Sequence, residues 1–228
     1  MPLDFERISV LCFDLDGTIS DTDDFYVQTL QRWLAPFRMV FPGLHREAFS
    51  RRIVMAMETP GNYFLQTLDR LRLDNLYYRL RNRSRSKRTD GSTDFQLIPG
   101  VKEILFKLKK FYPLAVVSSR EAYSVQEILE SFGLVECFQL VVAAESTIHT
   151  KPHPDPLLLV AEQQQVSPAE LLMIGDTVVD ILAAKAAGAQ TIGVLCGFGS
   201  RLELERAGAD LILDSTAHIP VELFPKFR

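Results

Sequence analysis

Two aspartates, Asp14 and Asp16, directly follow an apolar run near the start of the chain, in the stretch FDLDGTISDTDD of residues 13–24. If that run is a β-strand, side chains two residues apart point the same way, and both carboxylates face one crevice. Such a pair of like charges needs a metal ion or a basic partner to offset the repulsion. Gly17 and Thr18 then supply a tight turn whose backbone amides could bind an anion.

The acidic stretch also admits simpler interpretations, namely a solvated turn, a calcium loop or a helix N-cap. A calcium loop of the EF-hand type requires Gly at its sixth position and Glu at its twelfth. Counting from Asp14, those positions hold Ile19 and Phe25, so this interpretation fails. The later acids, Asp21 to Asp24, suit the first turn of a helix, where carboxylates cap N–H groups and favour the helix dipole.

Three further polar fragments follow apolar runs later in the chain. VVSSR places Ser118 and Ser119 where hydroxyl groups suit phosphate oxygens, and TKPHP places Lys151 just before a predicted helix. MIGDTVVD adds Asp176, with Asp180 four residues further on. Each fragment alone is common by chance. Oxygen donors without a histidine or cysteine cluster favour Mg²⁺ over zinc.

The elements that must position these residues alternate regularly from about residue 98 onward. β-rich runs, apolar throughout rather than at every second position, alternate with amphipathic segments. This pattern is typical of parallel strands covered on both faces and joined by right-handed helical crossovers. We therefore predict an α/β fold with a Rossmann-like doubly wound parallel sheet. The polar fragments then lie at the carboxyl ends of its strands, where such sheets bind ligands.

The segment between the first strand and this alternation differs in texture, with helical patterns separated by proline and glycine and no convincing strand. We predict a small all-helical domain over residues 21–96, inserted after the first strand. The core domain is then made of residues 1–20 and 97–228. We expect hinges at residues 19–21 and 97–100.

Composition narrows the function classes. The 228 residues are 47% hydrophobic and 24% charged, with net charge −4, as in ordinary soluble proteins. No apolar stretch is long enough to span a membrane, and the N-terminus lacks a secretory signal pattern, so we expect a cytoplasmic protein with reduced thiols. The basic run at residues 79–88 lacks interleaved aromatic residues. We therefore do not expect it to bind nucleic acid, and interpret it as a solvated helix end and loop whose positive field could steer anionic substrates, with its role left open.

With four such fragments in this order, the chain resembles the haloacid dehalogenase superfamily, specifically its phosphatases with a helical cap inserted after the first strand. The tail CGFGSRLELERAGADLILDS also resembles the phosphoglycolate phosphatase-like branch. The matching residues are Asp14-Leu15-Asp16-Gly17-Thr18, Ser118, Lys151-Pro152, and Gly175-Asp176-Thr177 with Asp180.

The resemblance implies a role for each carboxylate. Asp14 would be the nucleophile and form an aspartyl-phosphate. Asp16 would protonate the leaving oxygen and then activate water. Mg²⁺ would be held by the Asp14 carboxylate, the Asp16 backbone carbonyl and the Asp176 carboxylate. Asp180 and Thr18 would lie just outside the metal's own ligands.

The resemblance also implies a phosphate site and a substrate class. Ser118, Ser119 and Lys151 would hold the phosphoryl group, and the cap would read the leaving group of a small phosphorylated metabolite. Ser119 and Arg120 stand where relatives frequently carry Asn or Gly and Lys, a departure that we expect to affect substrate detail rather than mechanism. The candidate readers in the cap are Arg51, Arg52, Tyr63 and Phe64.

The leading interpretation is a Mg²⁺-dependent phosphatase of small phosphomonoesters, with phosphoglycolate as the nearest model substrate. A phosphomutase of the β-phosphoglucomutase type, or a pyrophosphatase or nucleotidase, stays open as an alternative. Dehalogenation is disfavoured because those relatives need no metal and lack the second carboxylate. A non-enzymatic module is disfavoured because Asp14, Asp16 and Lys151 are all present. The physiological substrate and the oligomeric state are left open.

Overall fold

The computed structural model of the protein describes residues 3–21 and 95–225. Contacts between residues divide the chain into two compact units, residues 1–23 with 95–228 and residues 24–94. The second unit lies outside the described residues, as do the basic run and the four candidate readers of the substrate. The domain boundaries inferred from the sequence, and the hinges, stay predictions.

Six parallel strands form the central sheet of the described unit, and a two-stranded antiparallel ribbon lies apart from it. The strands are β1 Val10–Phe13, β2 Ser20–Asp21, β3 Gln96–Leu97, β4 Leu114–Val117, β5 Leu140–Val142, β6 Leu171–Gly175, β7 Gln190–Val194 and β8 Leu211–Leu213. The sheet order is β5-β4-β1-β6-β7-β8, and every neighbouring pair is parallel. This confirms the predicted parallel α/β core.

Helices cover both faces of the sheet. They are α1 Val101–Leu108, α2 Ala122–Phe132, α3 Asp155–Gln164, α4 Val178–Ala187 and α5 Arg201–Ala207. Leu11 and Phe13 of β1 belong to one apolar cluster with α1 and α2, whereas Val10 and Cys12 belong to another with α3 and α4. Burying a side chain of this size contributes about 1.5–3 kcal/mol. Coverage on both faces explains why most strand positions are apolar, rather than every second one.

The ribbon corrects two expectations from the sequence. Asp21 is not in the first turn of a helix, because it lies in β2 and pairs with Gln96 of β3. The segment before residue 98 therefore does contain a strand, at Gln96–Leu97. Two residues are too short to show the alternation that identifies a strand in sequence. In the ribbon, antiparallel hydrogen bonds between β2 and β3 satisfy the backbone groups of both segments.

Candidate active site

The predicted site residues gather at the carboxyl end of the sheet. Asp14 follows β1, Ser118 follows β4 and Asp176 follows β6, and β1 lies between the other two strands. The strand order runs away from β1 in both directions, which makes this edge the topological switch point where open α/β sheets bind ligands. Lys151 reaches the same edge from the loop between β5 and α3.

Lys151 is the centre of a buried ion cluster. Its Nζ donates to Asp14 Oδ1 at 2.6 Å, to Asp180 Oδ1 at 2.5 Å and to the carbonyl of Val117 at 2.9 Å. Both side chains of the Lys151–Asp180 pair are at most 3% exposed. Three acceptors use all three N–H groups of the ammonium, so its position is fixed.

The two carboxylate oxygens of Asp180 bind different partners, one at the start of α4 and one in the ion cluster. Its Oδ2 accepts from the backbone N–H of Thr177 at 3.0 Å and from the Thr177 hydroxyl at 2.6 Å, which closes a capping box at the start of α4. Its other oxygen holds Lys151. The carboxylate therefore meets Lys151 directly, a contact that the sequence does not reveal.

Burial and charge act in opposite directions on the two central groups. Burial raises the pKa of Asp14 to about 7, although Lys151 pulls it down. Burial would lower the pKa of Lys151, but the neighbouring carboxylates of Asp14 and Asp180 more than offset this and raise it. Lys151 is thus a permanent cation, whereas Asp14 needs further positive charge nearby to be fully ionised at neutral pH.

Asp176 is fully buried beneath a glycine-containing loop at residues 196–199. Its Oδ2 accepts from the backbone N–H of Phe198 at 2.8 Å, and the Thr18 hydroxyl lies 3.4 Å from Oδ1. Gly17 and Gly197 have room for a hydrogen only, because a Cβ atom at either position would collide with the Asp176 carboxylate. Gly17 also has a φ of +74°, which glycine adopts without strain.

Asp16 has a different cation from Asp14. Arg120 donates to it in a bidentate pair, with Nε 2.5 Å from Oδ2 and Nη2 2.7 Å from Oδ1. Both side chains are about a quarter exposed, at 23% and 27%. Each of the two neighbouring carboxylates therefore has its own basic partner, Lys151 for Asp14 and Arg120 for Asp16, which offsets the repulsion between them.

Of the remaining predicted ligands of phosphate, Ser118 directly follows Val117, whose carbonyl accepts from Lys151. Ser118 is buried, and its hydroxyl accepts from the backbone N–H of Arg120 at 3.2 Å. Ser119 follows it and is exposed at the protein surface. The three carboxylates of Asp14, Asp176 and Asp180 offer oxygen atoms that all lie within 4.8 Å of one another.

This donor set fits a magnesium-type ion. Three buried carboxylates face one ammonium group, which leaves an excess of negative charge among the described residues of the cluster. All the donors are oxygens, the ligands that Mg²⁺ prefers. Asp180 is already engaged by Lys151 and Thr177, so Asp14 and Asp176 are the better candidates for direct metal ligands.

Among the described residues, no helix is long and apolar enough to cross a membrane. The three cysteines are free, with Cys12 and Cys137 buried and Cys196 half-buried.

Comparison with known proteins agrees with the site. A sequence model of the haloacid dehalogenase-like hydrolases matches residues 11–194. Phosphoglycolate phosphatase of Shigella boydii is 27% identical over 92% of this chain and 90% of its own length. A Dickeya dadantii protein named probable phosphatase IndB is 31% identical over 92% of this chain and 91% of its own.

The fold is also found among solved structures. A Thermotoga maritima protein, provisionally assigned as a β-phosphoglucomutase, is 26% identical, with a TM-score of 0.65 over 95% of this chain and 97% of that one. The matched region of the family model includes Asp14, Ser118, Lys151 and Asp176. The resemblance inferred from the motifs is therefore confirmed, and the chain belongs to the haloacid dehalogenase-like hydrolase family.

Proposed function

We propose that this protein is a Mg²⁺-dependent phosphatase that hydrolyses small phosphomonoesters through an aspartyl-phosphate on Asp14. The observation that carries the proposal is the buried cluster in which Lys151 lies 2.6 Å from Asp14, with the carboxylates of Asp176 and Asp180 close by. A carboxylate, a fixed cation and an oxygen-only metal site are the parts that phosphoryl transfer requires, since alignment and charge neutralisation dominate its catalysis.

In the first step, a carboxylate oxygen of Asp14 attacks phosphorus, and the bond between phosphorus and the leaving oxygen breaks. Lys151 Nζ lies at the nucleophile and offsets the repulsion between carboxylate and phosphate dianion. The Ser118 hydroxyl is placed at the end of the neighbouring strand to donate to a phosphoryl oxygen.

Asp16 completes both steps as the proton carrier. It gives its proton to the leaving oxygen in the first step, and the alcohol departs. In the second step it takes a proton from the water that attacks phosphorus, and the bond between phosphorus and Asp14 breaks to release inorganic phosphate. Asp16 is paired with Arg120 rather than with Lys151, so its side chain lies outside the buried cluster.

The ion would be held by the carboxylates of Asp14 and Asp176 and by the backbone carbonyl of Asp16. When bound, Mg²⁺ supplies positive charge that keeps Asp14 ionised and neutralises the phosphoryl oxygens. The raised pKa of Asp14 supports this assignment, because Lys151 alone leaves that carboxyl only partly ionised at neutral pH.

Phosphoglycolate is the first substrate to test. The relative from Shigella boydii that aligns with 92% of this chain is named for that activity. Hydrolysis of phosphoglycolate differs from hydrolysis of other small phosphomonoesters only in the leaving group. The proposed roles of Asp14, Asp16 and Lys151 are therefore the same for the whole class.

The test is release of inorganic phosphate from a panel of phosphomonoesters that includes phosphoglycolate, measured with Mg²⁺ and with EDTA. We expect activity with Mg²⁺, loss of activity with EDTA, and a fall in kcat of at least about 1,000-fold in Asp14→Asn. The matched control is Asp214→Asn, the same change at a side chain that is 78% exposed. Wild-type rates in Asp14→Asn would refute the mechanism.

A phosphomutase is the second candidate, favoured by the likeness to the Thermotoga maritima structure. Such an enzyme returns the phosphoryl group to the sugar instead of passing it to water. Incubation with β-glucose 1-phosphate and Mg²⁺ separates the two. A phosphatase releases free phosphate in step with substrate loss, whereas a mutase accumulates glucose 6-phosphate.

A further inference from the structure

Arg120 connects two of the proposed functional groups. Its guanidinium forms a bidentate pair with the Asp16 carboxylate, at 2.5 Å and 2.7 Å. Such a fork holds a carboxylate in one plane and at one position, which a single contact would not do. Without the fork, a carboxylate that is 27% exposed would rotate among several orientations.

The guanidinium is itself braced on two sides. Its Nη1 donates to the Ser124 hydroxyl at 3.2 Å, on the first turn of α2. The ring of Phe95 lies 5.8 Å from the guanidinium carbon, within the range of a cation–π contact. Asp16, Ser124 and Phe95 therefore surround Arg120 with groups that fix its plane.

The backbone of Arg120 is fixed as well and serves a different group. Its N–H donates to the Ser118 hydroxyl at 3.2 Å, and its carbonyl accepts from the N–H of Ala144 at 2.8 Å. The first contact occupies an acceptor site of Ser118 and turns the hydroxyl hydrogen elsewhere. The same residue thus orients Ser118 through its backbone and Asp16 through its side chain.

We propose that Arg120 is a positioning residue, whose side chain holds Asp16 where it meets the leaving oxygen of the substrate. When one Asp16 oxygen carries the proton for the leaving group, the contact of Arg120 with that oxygen gives way and the contact with the other oxygen keeps the side chain in place. This inference rests on the proposed function, because it assigns Asp16 as the proton donor. It differs from the expectation, stated above, that arginine at this position affects substrate detail rather than mechanism. The proposal gives the side chain no part in phosphate binding, since any residue except proline at position 120 keeps the N–H that reaches Ser118.

The proposal predicts a dependence on the leaving group. Removing the fork in Arg120→Ala misplaces the proton donor by a fraction of an ångström or more, which lowers kcat/KM about 100-fold for an alkyl phosphate such as phosphoglycolate. p-Nitrophenyl phosphate loses a stabilised phenolate that needs little protonation, so its kcat/KM falls about tenfold or less. Arg120→Lys restores the charge without the fork and gives intermediate values.

The experiment measures kcat/KM for both substrates and the inhibition constant of inorganic phosphate, in wild type, Arg120→Ala and Arg120→Lys. We expect the inhibition constant to stay within about threefold of wild type, because the backbone N–H that reaches Ser118 is kept in both variants. A shift of about threefold corresponds to less than about 1 kcal/mol. Equal losses for the two substrates, no loss for either, or an inhibition constant that rises in step with the loss of kcat/KM would each overturn the proposal.

Lys185→Ala is the matched control. It removes a partly exposed cation from the 2.5 Å ion pair with Asp210, which precedes β8 and so lies at the opposite end of the sheet. Its kcat/KM should equal that of wild type for both substrates. Circular dichroism checks that each variant is folded. If Arg120→Ala does not fold, the kinetics of Arg120→Lys decide the test instead. An inactive Asp14→Asn together with a fully active Arg120→Ala refutes this inference alone, whereas an active Asp14→Asn refutes the proposed function.

Discussion

Asp14 sits in a position that favours chemistry at a cost in stability. It is buried beside Lys151 and two further carboxylates, and burial raises its pKa from 3.8 to about 7. Above pH 7 the folded protein must hold this carboxylate in its charged form, which the unfolded chain does in water at no cost. Functional sites commonly lower the free energy of unfolding in this way.

Asp14→Asn should therefore stabilise the metal-free protein, in a pH-dependent way. Because the pKa is higher in the folded state, the folded wild type binds more protons than the unfolded chain between about pH 4 and pH 7. Its free energy of unfolding falls across that window and stays low above it. We expect the variant to exceed wild type by on the order of 3 kcal/mol at pH 8, with the difference narrowing towards pH 5.

Urea unfolding in EDTA at several pH values between 5 and 8 measures this difference. Lys151 keeps Asp180 as its partner in the variant, so the lysine is not left without a carboxylate. Asp214→Asn, at an exposed side chain, should show no such trend. A variant less stable than wild type at pH 8 would mean that the Asp14–Lys151 pair outweighs the cost of burial.

Residue types and order were sufficient to predict the meeting of Asp14, Lys151 and Asp176 at one edge of the sheet. They were not sufficient for Arg120, which lies 104 residues from Asp16 in the chain. A surface arginine after a strand carries no local pattern that distinguishes a solvated side chain from a bidentate clamp. Its partner depends on side-chain direction, which only the folded backbone defines.

At the scale of elements, the six strands of the parallel sheet were predictable because they are mainly apolar on both faces. The ribbon of β2 and β3 was not, since two residues per strand show no period. From the sequence, the glycines of the loop at residues 196–199 were recognised only as part of a family resemblance. The structure gives them another use, the close approach of backbone to Asp176.

Gly197→Ala tests that use. A Cβ atom at this position would overlap the Asp176 carboxylate and approach the Cα of Gly17 to 2.7 Å. Backbone lies on one side and a buried carboxylate on the other, so Asp176 or the 196–199 loop must move. We expect kcat/KM for phosphate esters to fall about 100-fold, as for a displacement near 1 Å at reacting groups.

Gly188→Ala is the control for the same chemical change. A Cβ atom there meets nothing within 4 Å, but the φ of +84° costs an alanine about 1 kcal/mol of stability. That variant should be less stable than wild type and fully active. If Gly197→Ala keeps wild-type kcat/KM, the loop does not hold Asp176 in the position that catalysis requires.

The whole molecule combines a well-covered parallel sheet with a cluster of buried negative charge at one edge. The chain carries a net charge of −4, so its long-range field does not repel a divalent cation. The sheet and its helices follow from sequence periodicity. The organisation of residues 24–94 lies outside the described structure, and the cap predicted there stays a prediction.

A cation that binds the folded protein and not the unfolded chain stabilises the fold by mass action. We therefore expect Mg²⁺ at about 100 times its dissociation constant to raise the free energy of unfolding by about 2.7 kcal/mol, seen as a higher melting temperature than in EDTA. Asp176→Asn should abolish the shift, because Asp176 is one of the two direct carboxylate ligands proposed. Asp214→Asn should keep it. An undiminished shift in Asp176→Asn would place the ion elsewhere in the protein. No shift in wild type at millimolar Mg²⁺ would contradict the proposed metal site. Protonation, rather than a metal ion, would then reduce the negative charge of the cluster, consistent with the raised pKa of Asp14.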